Sequence, residues 1–276
     1  MEERVDQLEE LSKVTTLRSC YEYWMHGINR SGLFYIDPDG DLIGHEPFEV
    51  YCDFKDGSTQ ILHNQDFTVD ITPCTESMCF QLDVDYSVSM DQIVALKEIS
   101  ESCSQDIQFN CVLAALSEND EPIGVWLNKD GQEETYLVGA NHGEHICTCG
   151  LYRNCSDSEH NNVCNCDAQL PVEQFDHGTI TNLTALPITG FRYGNMRFPQ
   201  QQASIQISRM QCNGAKEIEL DHLMDSCSNL KTSGVMTPGN YILNDESIYF
   251  CDSTKQISDP AIQRYIGKIS IDNDAL

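Results

Sequence analysis

The chain has 276 residues, with 16 Lys and Arg against 44 Asp and Glu, a formal charge of −28 at pH 7. That balance argues against nucleic-acid binding, which needs clustered cations, and against docking on anionic membranes; no run of about 18 apolar residues exists to insert into a bilayer. The 14 cysteines are even in number and allow up to seven bridges, each worth roughly 2–4 kcal/mol in an oxidising compartment.

In chain order, residues 1–17 read as a short polar helix. Val5, Leu8, Leu11, Val14 and Leu17 recur every three residues, a narrow apolar stripe that drifts around the helix. It has two readings: the end of a coiled coil that gathers copies of the chain, or a frayed leader packed on its own domain. Arg18 to Phe54 is loop- and strand-rich, with turn punctuation at Asp37-Pro-Asp-Gly40. Phe80, Leu82, Val84, Tyr86 and Val88 alternate with polar residues, the period of a half-buried strand. Ser89-Met-Asp-Gln92 is a capping-box pattern ahead of Ile93, Val94, Leu96 and Ile99, and predicts an amphipathic helix over roughly residues 90–102. Residues 103–170 carry most of the cysteines and little periodicity beyond strand-like stretches at Val125–Leu127 and Thr135–Val138. Short strands return from Leu186 to Cys212, where Ile205 and Ile207 alternate and Pro187 and Pro199 limit strand length. The fold class is mainly β with one principal helix (α+β), disulfide-rich and irregular.

Sequons at Asn29, Asn154 and Asn182 fit a secreted or cell-surface protein. Met1-Glu-Glu-Arg4 lacks the apolar stretch of a signal peptide, so the chain reads as a fragment of such a protein. Zinc is the rival use of sulfur, since Cys147, Cys149, Cys155, Cys164 and Cys166 crowd together after His142 and His145. Their Cys-x-Cys spacing is unlike a zinc knuckle, and disulfides are the expectation.

The chain also partly repeats itself. Ser19-Cys20, Ser31-Gly32 and Val50-Tyr-Cys52-Asp53 are echoed by Ser226-Cys227, Ser233-Gly234 and Tyr249-Phe-Cys251-Asp252. Duplication of a small ribbon accounts for the shared order, each copy closed by its own bridge, Cys20–Cys52 and Cys227–Cys251.

Cys20-Tyr-Glu, Ser31-Gly-Leu-Phe-Tyr-Ile-Asp-Pro-Asp-Gly40 and Pro47-Phe-Glu-Val-Tyr-Cys-Asp53 resemble the opening of fibrinogen-like domains. Further on come Gln60-Ile-Leu-His-Asn64, Ser89-Met-Asp-Gln-Ile93, Cys147-Thr-Cys-Gly-Leu151, Cys164-Asn-Cys-Asp-Ala168, Asp176-His-Gly178 and Met210-Gln-Cys212. This series is similar to the fibrinogen-like segment of contactin-associated proteins, the neurexin-IV type of adhesion receptor, and more distantly to the C-propeptide of fibrillar collagens. The likeness covers residues 18–214. It implies an extracellular module that binds a protein or glycan without catalysis, a Cys20–Cys52 bridge, and a link from Cys111 to the Cys147/Cys149 pair. Cys74 and Cys79 are extra to the pattern, and the segment after Cys212 has no counterpart in it. The collagen likeness supplies the alternative function, a chain-assembly module forming homo-oligomers, trimers by analogy. The resulting plan is an N-terminal helix over 1–17, a fibrinogen-like ribbon over 18–62, a fibrinogen-like core over 63–214, and a second partial ribbon with a tail over 215–276.

Two site candidates follow. Asp37, Asp39 and Asp41 alternate on a turn, and closely set carboxylates suit Ca²⁺; the matching stretch of collagen propeptides is a calcium loop, with Asp37 and Asp39 on its first two side-chain ligand positions. The plain alternative is a solvated turn. Phe191-Arg192-Tyr193 and Met196-Arg197-Phe198 make an aromatic and basic cluster, either an interface or part of the core. Apart from calcium no cofactor is expected. Hydrolase, zinc-protease and phosphate-loop motifs are absent, and paired cysteines offer no thiolate for catalysis.

Overall fold

The computed structural model describes residues 16–40, 45–119, 121–137, 145–156 and 163–216, together with 227, 239–242, 247–251, 255–256, 258 and 263–268. The helix and coiled-coil end expected within 1–17 fall outside these, apart from non-helical Thr16 and Leu17, and so does Asp41. Two compact units emerge, one of residues 19–36 and 48–215, the other of 1–18, 37–47 and 216–276.

The larger unit begins with helix α1 (Cys20–Met25), whose N-cap Ser19 accepts the Glu22 N–H. Strands β1 (Gly32–Ile36), β2 (Phe48–Asp53) and β3 (Ser58–Ile61) follow as an antiparallel ribbon. Alternation sends Phe48, Val50 and Cys52 inward and leaves Leu33, Tyr35 and Glu49 exposed. Gly57, between β2 and β3, has φ +76° and lies under Trp24, whose ring a Cβ there would meet at 2.9 Å. Both facts require glycine.

After β4 (Val69–Asp70) and β5 (Phe80–Asp83) comes helix α2 (Met90–Ile99), which carries the expected capping box on Ser89 and Gln92. It ends at Ile99, before the expected residue 102, because Ser100 turns extended into β6 (Ser102–Val112). Strand β5 is likewise shorter than its alternation suggests. Val84 N–H leaves for the Thr189 carbonyl (3.0 Å), and Tyr86 bridges to His63 instead.

Strands β7 (Ser117–Glu118) and β8 (Glu121–Pro122) form a hairpin, followed by β9 (Gly124–Leu127), β10 (Glu133–Glu134) and a short helix α3 (Thr148–Tyr152). A 3₁₀ turn (Cys166–Ala168) leads to β11 (Gln174–Ile180), β12 (Gly190–Tyr193), β13 (Gln202–Ile207) and β14 (Met210–Asn213). The main sheet runs β1-β2-β3-β14-β6-β13-β4, with β11 on the other edge of β6, and the second runs β10-β9-β12-β5.

β6 is the spine of the main sheet. Its inward positions are Cys103, Gln105, Ile107, Phe109 and Cys111. From Ile207, opposite Ile107, to Gln211, opposite Ser104, four steps of one strand match three of β6, so Ser208 and Arg209 form a bulge. The bulge exposes the Ser208 carbonyl, which accepts from Gln105 Nε2 (2.8 Å) and pairs with His63 Nε2 (3.0 Å). Gln105 Oε1 takes the Ile188 N–H at 2.9 Å, so the buried amide is satisfied at both ends. Lys97, buried on α2, donates to the carbonyls of Leu183 (2.8 Å) and Leu186 (2.7 Å). Burial pushes its ammonium down to about 8.

All 14 cysteines are paired: 20–52, 74–79, 103–212, 111–166, 147–164, 149–155 and 227–251. The expected link from Cys111 to Cys147 or Cys149 is therefore corrected. The 3₁₀ turn packs against β6 and β11 and delivers Cys166 to the inward end of β6. Cys147 N–H meanwhile bonds to the Val163 carbonyl (3.1 Å), which aligns Cys147 with Cys164. His145, Cys164 and Asp167 do cluster, as do Cys147, Cys164 and Asp176, but sulfurs bonded to each other supply no thiolate for zinc.

In the smaller unit β15 (Gly239–Ile242), β16 (Ser247–Cys251) and β17 (Gln263–Lys268) form an antiparallel sheet. It repeats the first ribbon in detail. Gly32 faces Cys52 as Gly239 faces Cys251, and Cys52 faces Thr59 as Cys251 faces Gln263. Cys20 N–H donates to Thr59 Oγ1 and Cys227 N–H to Gln263 Oε1, both at 3.0 Å. Gly239 is thus the structural counterpart of Gly32; Ser233-Gly234 lies outside the described residues. Among the described residues no helix is long and apolar enough to cross a membrane.

Candidate partner-binding site

The aromatic and basic cluster divides between core and surface. β12 is the inner strand between β9 and β5, so Phe191 and Tyr193, one step of the pleat apart, share its buried face and pack on Phe109 with centroids 6.1 and 5.1 Å away. The Tyr193 hydroxyl donates to the Ala115 carbonyl (2.7 Å), and burial raises its pKa. Arg192 turns back on β5, donating to the Leu82 carbonyl (2.8 Å) and the Asp83 carboxylate (2.6 Å). As partner-binding candidates, Phe191, Arg192 and Tyr193 are corrected to core and framework.

Arg197 and Phe198 are a different case. Beyond Tyr193, Gly194 passes so close to the 74–79 loop that a Cβ would run into the Glu76 carbonyl. Asn195, at φ +57°, donates its N–H to Glu76 O (3.1 Å), and Met196 N–H reaches Cys74 O (2.8 Å). The Cys74–Cys79 bridge closes that loop. Next, the Gln201 side chain accepts the N–H groups of Arg197 (2.7 Å) and Phe198 (2.9 Å) with Oε1 and donates Nε2 to the Leu113 carbonyl (2.9 Å). The tip is therefore braced from both sides. It presents an exposed guanidinium and a Phe198 ring that is 64% exposed, beside a shallow depression lined in part by Ala115, Glu118, Ile123 and Gln169.

Half-buried His145 and Asp167, with buried Asp176, form a further polar group that the residue pattern did not reveal. Asp167 accepts the N–H groups of Leu116 (3.0 Å) and Ser117 (2.9 Å) and pairs with His145 Nε2 at 2.8 Å. Burial works against the charged imidazole, but the Asp167 bond and charge outweigh it and raise its pKa. Asp176 accepts the N–H groups of Asn165 and Cys166, both at 2.8 Å, while desolvation pushes its carboxyl up to about 6. These groups fix the 116–117 and 165–166 backbones.

Of the calcium candidates, Asp37 Oδ1 accepts the Gly40 N–H (3.2 Å) and Asp39 Oδ2 the His45 N–H (2.8 Å). Both carboxylates organise the turn. Asn29 and Asn154 are exposed; Asn182 is half-buried, its Oδ1 accepting the N–H (3.0 Å) and hydroxyl (2.7 Å) of Thr184.

Fold and site together define a disulfide-stapled, mainly β module with a braced surface tip, and sequence similarity says what kind. The chain is 31% identical to human contactin-associated protein 1 over 201 residues, which cover 71% of this chain. It is 30% identical to the rat and mouse proteins of the same name over the same length. It therefore carries a domain related to part of contactin-associated protein 1. The chain spans about 14% of the length of these curated relatives. No family model matches it.

Proposed function

We propose that the chain is an extracellular recognition module of fibrinogen-like type, which binds a protein or glycan partner through a rigid surface centred on Arg197 and Phe198 and performs no catalysis. The observation that supports this reading most is the closure of every cysteine into a disulfide, a set that persists in oxidising compartments. The charge of −28 favours cationic partners by long-range steering. The relatives are named for association with contactin, which makes a contactin ectodomain the first protein probe.

The test uses the chain produced by secretion and captured on a biosensor. Saturable contactin binding is expected, with Phe198→Ala and Arg197→Ala each weakening it about tenfold or more at an unchanged melting temperature. Binding at full strength in the double variant would move the interface elsewhere on the module. Free thiols found on titration of the denatured, unreduced protein would overturn the extracellular reading itself.

A further inference from the structure

Cys74–Cys79 differs from the other six bridges in exposure and in span. Each of the others has at least one buried cysteine, whereas Cys79 is exposed and Cys74 half-buried. Its partners stand 5 residues apart, against 6 to 109 elsewhere. A bridge that closes so short a loop adds least to the fold, and by linkage the fold does least to keep it closed. Inside the loop Met78 holds the left-handed region at φ +54°, which is unfavourable for a residue with a Cβ. Gly194 presses on this segment, where a Cβ would lie 2.6 Å from the Met78 nitrogen. At one end of the loop Phe80 is fixed in β5, opposite Tyr193. Towards the other end stand both acceptors of the tip, the Cys74 carbonyl for Met196 N–H (2.8 Å) and the Glu76 carbonyl for Asn195 N–H (3.1 Å). Upstream, exposed Thr72 and Pro73 separate Cys74 from Ile71, whose N–H meets the Ala203 carbonyl (2.9 Å). The bridge thus ties the tip's acceptors to β5.

We propose that Cys74–Cys79 is a redox-controlled clasp, which an extracellular dithiol opens ahead of the other six bridges and so loosens the Arg197–Phe198 tip. Exposed disulfides are the ones open to thiol exchange. A reductant thiolate attacks Sγ of the exposed Cys79 and forms a mixed disulfide; the electron pair of the broken S–S bond leaves on Cys74 Sγ, which takes a proton from water. The second thiol of the reductant then displaces Cys79. The dithiol becomes a disulfide, and the bridge gains two electrons and two protons. Opening lets Met78 leave its left-handed conformation and frees the acceptors of Asn195 and Met196 from β5, while Gln201 still holds the Arg197 and Phe198 amides. The tip keeps one brace of two and must be ordered again when it binds. The inference rests on the proposed recognition surface, whose regulation it supplies.

The experiment treats the secreted full chain with graded dithiothreitol under native conditions and maps the opened bridges by differential alkylation and mass spectrometry. Contactin-ectodomain binding and amide exchange are measured on the alkylated, desalted chain. Cys74 and Cys79 should be alkylated at dithiothreitol concentrations about tenfold or more below those that open any other bridge, including Cys149–Cys155 of nearly equal span. Exchange at Asn195 and Met196 should then quicken about tenfold, and binding should weaken about fivefold or more. Cys74→Ser/Cys79→Ser should match the opened wild type and ignore the reductant. Opening of Cys149–Cys155 first, or of all bridges together, would overturn the proposal. So would full-strength binding by the opened chain where Phe198→Ala binds weakly. Full-strength binding by both the opened chain and Phe198→Ala would overturn the recognition surface and the clasp with it.

Discussion

Replacing Gln201 by leucine tests whether the recognition tip is rigid by construction. The side chain makes three bonds, two accepted from the Arg197 and Phe198 amides and one donated to the Leu113 carbonyl. A neutral hydrogen bond contributes about 0.5–1.5 kcal/mol net, so the three together set a ceiling of about 4.5 kcal/mol. Gln201 is half-buried and the tip is exposed, so water replaces part of what is lost and the expected cost is about 2 kcal/mol. That corresponds to a fall in Tm of about 4–8 °C for a domain of this size. Hydrogen exchange read by mass spectrometry should show the Arg197 and Phe198 amides accelerating about tenfold or more, since tenfold corresponds to about 1.4 kcal/mol of opening free energy. Gln201→Glu keeps both acceptors but sets a carboxylate against the Leu113 carbonyl. It should lower Tm while slow exchange at Phe198 survives. Wild-type exchange at both amides in Gln201→Leu would refute the idea that this side chain holds the tip.

The disulfides should differ in worth according to the loops they close. In the chain-entropy account, Cys103–Cys212, separated by 109 residues, contributes about 5 kcal/mol and Cys74–Cys79, separated by 5, about 2. Paired Cys→Ala variants followed by urea unfolding should rank them so, and loss of Cys74–Cys79 should weaken partner binding more than its small stability cost explains. The pH dependence of the His145, Asp167 and Asp176 group is set by two raised pKa values. Asp176 contributes stability that is full below its ordinary value near 3.8 and fades as pH rises through about 6; His145 contributes stability that is full below 6.5 and is lost as pH rises through its elevated folded value. His63 has the opposite sense, its lowered pKa removing stability as pH falls. The stability difference between wild type and His145→Gln should therefore shrink from pH 5.5 to pH 8.5, and a constant difference would deny His145 its charge. Calcium bound by Asp37 and Asp39 should raise Tm at millimolar concentration, an effect that Asp39→Asn removes. Identical melts with calcium and with chelator would dismiss the ion.

Much of the fold was legible wherever one physical signal dominated. The capping box announced α2 because Ser89 and Gln92 satisfy each other's backbone whatever surrounds them. The ribbon repeat was legible in its cysteines, Cys20–Cys52 and Cys227–Cys251, but not in its glycine, since Gly239 rather than Gly234 faces Cys251 as Gly32 faces Cys52. β6 was missed although it is the longest of the described strands. Its inward face reads Cys103, Gln105, Ile107, Phe109, Cys111, so cysteines taken as staples and a buried amide taken as polar concealed a regular alternation. Gln105 is tolerated there because the Ser208 bulge and the Ile188 amide supply its partners, and both lie more than eighty residues away in sequence. The Cys111 pairing went astray for a related reason. Which sulfur meets it depends on the 3₁₀ turn before β11, a feature of tertiary packing rather than of spacing.

The binding surface shows where local reading stops. Phe191, Arg192, Tyr193, Arg197 and Phe198 lie within eight positions, and composition treats them alike. What separates them is that β12 has a strand on each side, which buries Phe191 and Tyr193, whereas Arg197 and Phe198 stand past its end. The residues that turn this loose end into a defined tip carried little signal of their own. Gln201 is one glutamine among many, and Cys74 and Cys79 stood out only as a pair beyond the fibrinogen-like pattern. Once folded, that pair closes the loop on which Asn195 and Met196 are hung. A departure from a family's cysteine pattern is therefore a place to look for what is particular to a member. Here the Cys74–Cys79 bridge braces the surface on which this chain's choice of partner would depend.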